Sequence, residues 1–445
     1  MARRTIQRLT FVTDAPGFGG AERYIVAMAK AAQRRGIEPH IYWTPIPGGD
    51  LAAFDSAKEA GVAVTCVPVS RTRGWSGVVS EFRAMLSRRR PDGLIINACG
   101  RPRFWILPCL ARLAAIPAVW VHQMVDGRDY RRLPPGRFRG TMEGFHWWRV
   151  PQAVRHRLAG MAASSVVVLN AEDGDQVVRQ QGIDHTRIRV VPHGVDLERF
   201  TFRPEGRERL RRGWQVGPTG GPAPFLVGTA VRLVTGKGVE PLIEATALLA
   251  RRGMTIRLVV AGDGEDRGSM VQLAARCGIS DRVTFAGFVA DMPAFHSALD
   301  AFALCSVTES FGLSLAEAMA CERPVIGTPT AGATRQIEDH RTGRLLRTFE
   351  PAELADAIVD LAEDPVGCAA MGRAGRDSVR RQFSIDLTLE RTLRALRGPA
   401  RERSSIRWPG MGEPFFAAMT SEDRPVNGSI IGTTVLRPRC QTPVR

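Results

Sequence analysis

Short apolar, β-branched runs alternate with segments of helical period from the start of this 445-residue chain, and the alternation begins afresh after a glycine- and proline-rich stretch at residues 213–224. Nothing else in the sequence constrains the fold as strongly. A chain that reads strand, helix, strand, helix buries both faces of its strands by forming a parallel sheet with helices above and below. Strands are predicted at residues 9–13, 37–42, 62–68, 93–98, 118–122 and 165–169, and again at 225–231, 255–261, 283–285, 301–304 and 324–327. A helix is predicted over 21–35, ended by Gly36, a residue type suited to the left-handed position past a helix terminus. The fold class is therefore α/β, with two Rossmann-like, doubly wound units facing each other across a cleft. Open sheets of this kind bind ligands outside the carboxyl ends of their strands, so functional residues are expected in the loops just after strands.

The expected division is a first unit over 1–196, a second over 197–385, a helix over 386–400 returning to the first, and a tail over 401–445. The tail is rich in Arg, Pro, Gly and Ser without apolar periodicity, which predicts disorder. A hydrophobic content of 44% over this length supports two cores rather than one. The eight cysteines are scattered, with no CxxC pair and no Cys/His cluster at metal-ligand spacing, and read as buried thiols in a reducing compartment. The N-terminal residues run straight into a strand without an apolar export segment. The most apolar long stretch, 104–121, carries Arg112 and is broken by Pro108 and Pro117. A cytoplasmic protein, soluble or peripheral at the inner face of a membrane, is expected.

The formal charge of +16 is almost all arginine; Lys30, Lys58 and Lys237 are the only lysines. Residues 101–160 hold eleven arginines against three acidic residues, with Phe104, Trp105, Trp120, Phe138, Phe145, Trp147 and Trp148 among them. Arginine beside tryptophan suits an anionic membrane surface or a phosphate-bearing lipid, and equally an arginine-rich helical face over core tryptophans. Charge alone would suggest nucleic acid, but no recognition motif accompanies it, and no nucleic-acid partner is expected.

The chemistry concentrates in 306–346, SVTESFGLSLAEAMACERPVIGTPTAGATRQIEDHRTGRLL, and in 228–238, GTAVRLVTGKG. Glu309 and Glu317 form an E-x7-E pattern with Phe311, Gly312, Leu313 and Ala318 around it, and Arg232 and Lys237 form an R-L-x-x-x-K-G pair. With VVAGDGEDR at 259–267, TFAGFV at 284–289, VVPHGVDLERF at 190–200 and FGGAE at 18–22, the chain resembles the GT-4 family of glycosyltransferases over residues 8–397. That resemblance implies the GT-B fold and transfer of a sugar, with retained anomeric configuration, from a nucleotide diphosphate donor, UDP- or GDP-sugar foremost. The acceptor it implies is a glycan, glycolipid or lipid-linked molecule held by the N-terminal unit, as in polysaccharide or glycoconjugate synthesis. It further implies that Glu309 meets sugar hydroxyls, that Glu317 meets the ribose hydroxyls, and that His122 lies close to the transferred sugar. Two positions depart from the family pattern: His193 stands where Asn is usual, and Arg335 where a glutamate often follows the glycine-rich turn, which leaves donor preference open.

Elementary physics agrees with this reading. Breaking a sugar–phosphate bond leaves new negative charge, best met by fixed cations such as Arg232 and Lys237 after a strand. Gly236 and Gly238 let backbone approach phosphate beside Lys237. Ser310, Phe311, Gly312 and Leu313 lie where a strand gives way to a helix, whose free N–H groups and dipole suit a second phosphate. A metal is then unnecessary, and no cofactor is expected. On one continuous helix Glu309 and Glu317 would stand about 12 Å apart, so Glu309 is placed on the loop and Glu317 on the helix, at different ends of one ligand. Gly19 and Gly20 lie between the first strand and helix, where N–H groups can approach an anion. Neither glycine cluster, 17–22 or 262–264, completes a dinucleotide fingerprint. His122 ends a strand and would point into the cleft, or else be a partly buried, hydrogen-bonded histidine. Asp173 and Asp175 look like a metal-binding DxD, but they open a helix, where acids serve as dipole partners. A sugar-nucleotide epimerase and a catalytically inactive nucleotide-sugar binding protein are the competing functions; the intact Arg232, Lys237, Glu309 and Glu317 argue against the latter.

Overall fold

A computed structural model of the chain describes residues 5–14, 20–44, 54–68, 75–97, 104–123, 152–216 and 223–398. Gly19, residues 124–151 of the basic aromatic stretch and the tail at 401–445 lie outside the described residues. A seven-stranded sheet contains β1 (Arg8–Thr13), β2 (Glu38–Trp43), β3 (Ala63–Cys66), β4 (Gly93–Asn97), β5 (Ala118–Val121), β6 (Ser165–Val168) and β7 (Ile188–Val190), in the order β3-β2-β1-β4-β5-β6-β7. A six-stranded sheet contains β8 (Phe225–Ala230), β9 (Ile256–Ala261), β10 (Val283–Gly287), β11 (Ala301–Leu304), β12 (Val325–Gly327) and β13 (Arg344–Leu345), in the order β10-β9-β8-β11-β12-β13. Every pairing is parallel. The architecture is the two-unit, Rossmann-like α/β fold that the alternating pattern predicts.

Strand periodicity sorts the first sheet's residues between two cores. Leu9, Phe11, Ile41, Trp43, Ile95, Val119, Val121 and Val167 face the helix Gly20–Arg34. Val12, Tyr42, Leu94, Ile96, Trp120, Val166 and Val168 face the helices Trp75–Arg89, Ile106–Leu113 and Gln152–Ala162. The helix Ile385–Leu396 buries Ile385, Leu389, Ala395 and Leu396 in the same core as Gly20–Arg34. Two chain passages lie side by side on the way: Val195 N donates to Phe383 O at 2.8 Å, and Ile385 N donates to Val195 O at 2.9 Å. Gly194 makes this approach feasible, since a Cβ there would stand 2.6 Å from Ile385 Cα.

Two strands were not predicted, β7 and β13. Both are edge strands, three and two residues long, and each contains an arginine, so neither carries an apolar run that a sequence pattern could register. In each sheet the strand order reverses between neighbours, at β1/β4 and at β8/β11. Those switch points are where an open α/β sheet leaves a crevice. Among the described residues no helix is long and apolar enough to cross a membrane.

Candidate functional site

The loops after β8 and β11 leave adjacent strands at the second switch point, and the backbone locks them together. Val307 N donates to Gly236 O at 2.9 Å. Gly238, at φ 76°, lies so close to the neighbouring loop that a Cβ would stand 2.0 Å from Cys305 O. Gly236, at φ 87°, is also left-handed, so Lys237 is presented between two residues that few side chains could replace. The result is a salt bridge from Lys237 Nζ to Glu309 Oε2 at 3.0 Å, with both side chains partly open to solvent.

Glu309 stands on the loop, and Glu317 on the helix Leu313–Ala320, as the spacing argument requires. The helix starts at Gly312, φ 80°, with no side-chain cap on its first N–H groups. The Glu309 loop is pinned from the far side: Gly332 N donates to Glu309 O at 2.9 Å, and Gln336 Nε2 donates to Phe311 O. Ser310 and Phe311 face the N-terminal half. Asn170 Nδ2 donates to Ser310 O at 2.7 Å, and the Phe311 ring stacks on His193 at 5.7 Å. His193 also meets Tyr24 at 4.2 Å, and burial holds its imidazole neutral, down to about 3. The departure from Asn at this position is thus an aromatic link between Tyr24 of the first helix and Phe311.

Arg232 is not drawn into the Lys237–Glu309 pair. It bonds Glu265 Oε1 at 2.9 Å, and both side chains are more than two-thirds exposed. Glu317 differs again: it is buried, with Arg23 Nη1 at 3.4 Å and His296 Nε2 at 3.7 Å from its Oε2. Burial would raise this carboxyl, but Arg23 and then His296 outweigh it and hold it below the usual carboxylate range.

In the N-terminal half Gly20 opens the helix Gly20–Arg34, with nothing within 4 Å of the place a Cβ would take. His122 follows β5, its ring 4.5 Å from Trp120 and 6.4 Å from His156. Burial first, and His156 second, lower its pKa to about 3, and among the described residues its Nε2 is buried without a hydrogen-bond partner. No contact joins it to Lys237 or Glu309. Beside it, at the ends of β1, β4 and β5, Asn97 Nδ2 donates to Thr13 Oγ1 at 3.4 Å and Gln123 Nε2 donates to Asn97 Oδ1 at 2.5 Å. Sequence reasoning passed over Thr13, Asn97 and Gln123. Their one signal is a polar residue directly after an apolar strand.

Asp173 lies in the first turn of the helix Ala171–Gln181, where Asn170 caps its N–H at 2.8 Å and donates to its carboxylate at 3.0 Å. Burial pushes the carboxyl up to about 6 against the lowering effect of its hydrogen bonds to Ser310 and Asn170. Among the described residues no group of three potential metal-ligating side chains gathers anywhere. Arg335 lies exposed in the last turn of the short helix Ala331–Gln336.

Comparison with known proteins matches residues 18–199 to the family described as Glycosyltransferase Family 4 and residues 222–378 to Glycosyl transferases group 1. A D-inositol 3-phosphate glycosyltransferase from Pseudarthrobacter chlorophenolicus is 34% identical over 391 residues, covering 82% of this chain and 87% of the relative. A GDP-mannose-dependent alpha-(1-6)-phosphatidylinositol monomannoside mannosyltransferase from Mycobacterium tuberculosis is 34% identical over 217 residues, 47% of this chain and 55% of that protein. In three dimensions the chain is similar to HepE from Anabaena, crystallised with UDP and glucose, at a TM-score of 0.69 and 20% identity over 88% of this chain and 99% of that one.

Proposed function

The chain belongs to glycosyltransferase family 4 and is a sugar-transferring enzyme of GT-B fold, and from that premise we propose that its donor is a nucleoside diphosphate sugar, UDP- or GDP-linked, used with retention of configuration. One observation carries the reading: a lysine and a glutamate, paired at 3.0 Å and open to solvent, stand on glycine-hinged loops at the switch point of the second sheet. In this arrangement each charge neutralises the other. With donor bound, Lys237 turns to the diphosphate and Glu309 to the sugar hydroxyls. Arg232, tied among the described residues to exposed Glu265, can turn to join Lys237, and the uncapped N–H groups at Gly312 and Leu313 add partial positive charge. These groups supply what a metal would otherwise supply.

The bond between the anomeric carbon and the β-phosphate oxygen breaks with its electron pair going to the diphosphate. The acceptor hydroxyl oxygen bonds the same face of that carbon, and its proton passes to the departing diphosphate oxygen. Lys237 and Arg232 meet charge that grows as the bond breaks, the condition for lowering the barrier rather than deepening the ground state. His122, neutral at physiological pH, is suited to a sugar hydroxyl rather than to an anion.

The acceptor is assigned to the N-terminal half and to the glycan or lipid-linked class. The relatives support an inositol phosphate or a phosphatidylinositol mannoside, since one acts on each by name. A peripheral membrane contact is supported by Val154, Leu158 and Met161, which share one exposed face of the helix Gln152–Ala162, with Leu113 exposed on the neighbouring helix and arginines around them. Co-sedimentation should favour anionic over neutral vesicles, with Leu158→Glu weakening it; equal binding to both would remove the membrane.

Thermal stability with UDP, GDP, ADP and NAD, each with Mg²⁺ or EDTA, tests the donor assignment. One nucleoside diphosphate should raise Tm in EDTA, because selective binding to the native state stabilises it. A rise with NAD alone, or with none, defeats the reading. An inverted linkage in the isolated product would remove the same-face mechanism.

A further inference from the structure

The buried Glu317 carboxylate has a built surround that the E-x7-E pattern does not include. A carboxylate removed from water is costly unless opposite charge or hydrogen bonds meet it. Among the described residues two side chains from different halves of the chain reach it: the Arg23 guanidinium from the helix Gly20–Arg34, and the His296 ring, whose pKa burial lowers, from the helix Met292–Ala298. Both contacts end on Oε2.

His296 is fully buried and fixed by aromatic packing, with Phe302 at 5.1 Å, Phe295 at 5.5 Å and Phe200 at 6.3 Å around its ring. Yet neither ring nitrogen has a hydrogen-bond partner among the described residues, and 3.7 Å to Glu317 is an electrostatic contact longer than a hydrogen bond. Buried unsatisfied groups are rare enough to require a reason.

We propose that Arg23 and His296 are positioning residues for Glu317, holding its carboxylate at Oε2 so that Oε1 accepts from the ribose hydroxyls of a nucleoside diphosphate, and that the N-terminal half thereby completes the donor site. This rests on the donor reading above. It makes ribose recognition depend on how the two halves meet, because Arg23 and Glu317 are 294 residues apart in the chain.

The test is calorimetric binding of UDP and GDP, each beside its 2′,3′-dideoxy counterpart, to the full-length protein and to Glu317→Gln, Arg23→Gln, Arg23→Lys and His296→Gln. Wild type should prefer the ribonucleotide by about tenfold or more, the scale of hydrogen bonds to a charged group. Glu317→Gln should lose most of that preference. Arg23→Gln and His296→Gln should each reduce it severalfold while leaving dideoxynucleotide affinity unchanged, and Arg23→Lys should keep part of it. Should His296→Gln fail to fold, the partly exposed Arg23 still decides the matter.

The positioning role is overturned, with the donor reading intact, if Glu317→Gln loses the preference while Arg23→Gln and His296→Gln retain it. It is likewise overturned if Arg23→Gln binds the ribonucleotide more tightly, which would make the arginine a competitor. Absence of nucleotide binding to wild type would remove the donor reading itself, and this inference with it.

Discussion

The strand ends of the two sheets carry different chemistry. After β8, β9 and β11 stand ionised, solvent-reached pairs, Lys237 with Glu309 and Arg232 with Glu265. After β1, β4 and β5, among the described residues, stand the Thr13, Asn97 and Gln123 chain of hydrogen bonds and His122 held neutral by burial, with the buried Asp14 directly after β1. The same architecture carries solvent-reached ion pairs at one set of strand ends and a hydrogen-bonded chain of amides and a hydroxyl at the other. A departing diphosphate needs the first and a hydroxyl acceptor the second. In that sense the asymmetry between two similar units carries more functional information than the fold they share.

The sharpest way to break the comparison is at Lys237. Lys237→Ala should lower kcat by about 10²–10³, the scale of removing one preorganised group from a developing anion. Nucleoside diphosphate affinity should change far less. Steady-state kinetics beside equilibrium binding separates the two, and an equal loss in both would make Lys237 a uniform binding contact. The opposite side predicts a smaller, differently placed effect. Asn97→Ala removes a neutral partner, so the acceptor KM should rise severalfold while the donor KM stays where it is, as befits hydrogen bonds worth about 1 kcal/mol. A change in donor KM instead would assign the first sheet's strand ends to the donor.

The charged side was far more legible in the sequence than the neutral one. Glu309, Glu317, Arg232 and Lys237 stand out because they match the E-x7-E and R-L-x-x-x-K-G motifs of the family that the sequence resembles. The placement of Glu309 on a loop and Glu317 on a helix followed from helical rise alone. The strands announced themselves wherever an apolar run marks them, the half-exposed β3 and β10 included, and β7 and β13 did not because each is very short and carries an arginine. What could not be read was pairing. Arg23 and His296 lie 294 and 21 positions from Glu317, in helices whose own patterns give no reason to single them out. The polar trio of Thr13, Asn97 and Gln123 is assembled by the order of β1, β4 and β5, which only the folded sheet brings together.

Asp173 lies on the seam between the two regions, bonded to Asn170 on its own side and to Ser310 on the other. Burial, the dominant influence, lifts its carboxyl from 3.8 to about 6. Below about pH 4 the group is protonated in both the folded and the unfolded chain and has no effect on the balance. As the pH rises toward 6 the unfolded chain releases its proton first, so the folded state loses stability across that window and loses nothing more above it. The neutral histidines His40 and His156, lowered to about 4, act in the opposite sense below their ordinary pKa, so the wild-type curve alone is a mixture. The informative quantity is the difference between wild type and Asp173→Asn. That variant should be no more stable than wild type near pH 4 and more stable by a few degrees in Tm at about pH 7, where the buried charge it lacks is costing wild type. A difference that stays flat with pH would mean that Asp173 ionises freely, and that the seam between the two halves is wetter than the packing around Asn170 and Ser310 implies.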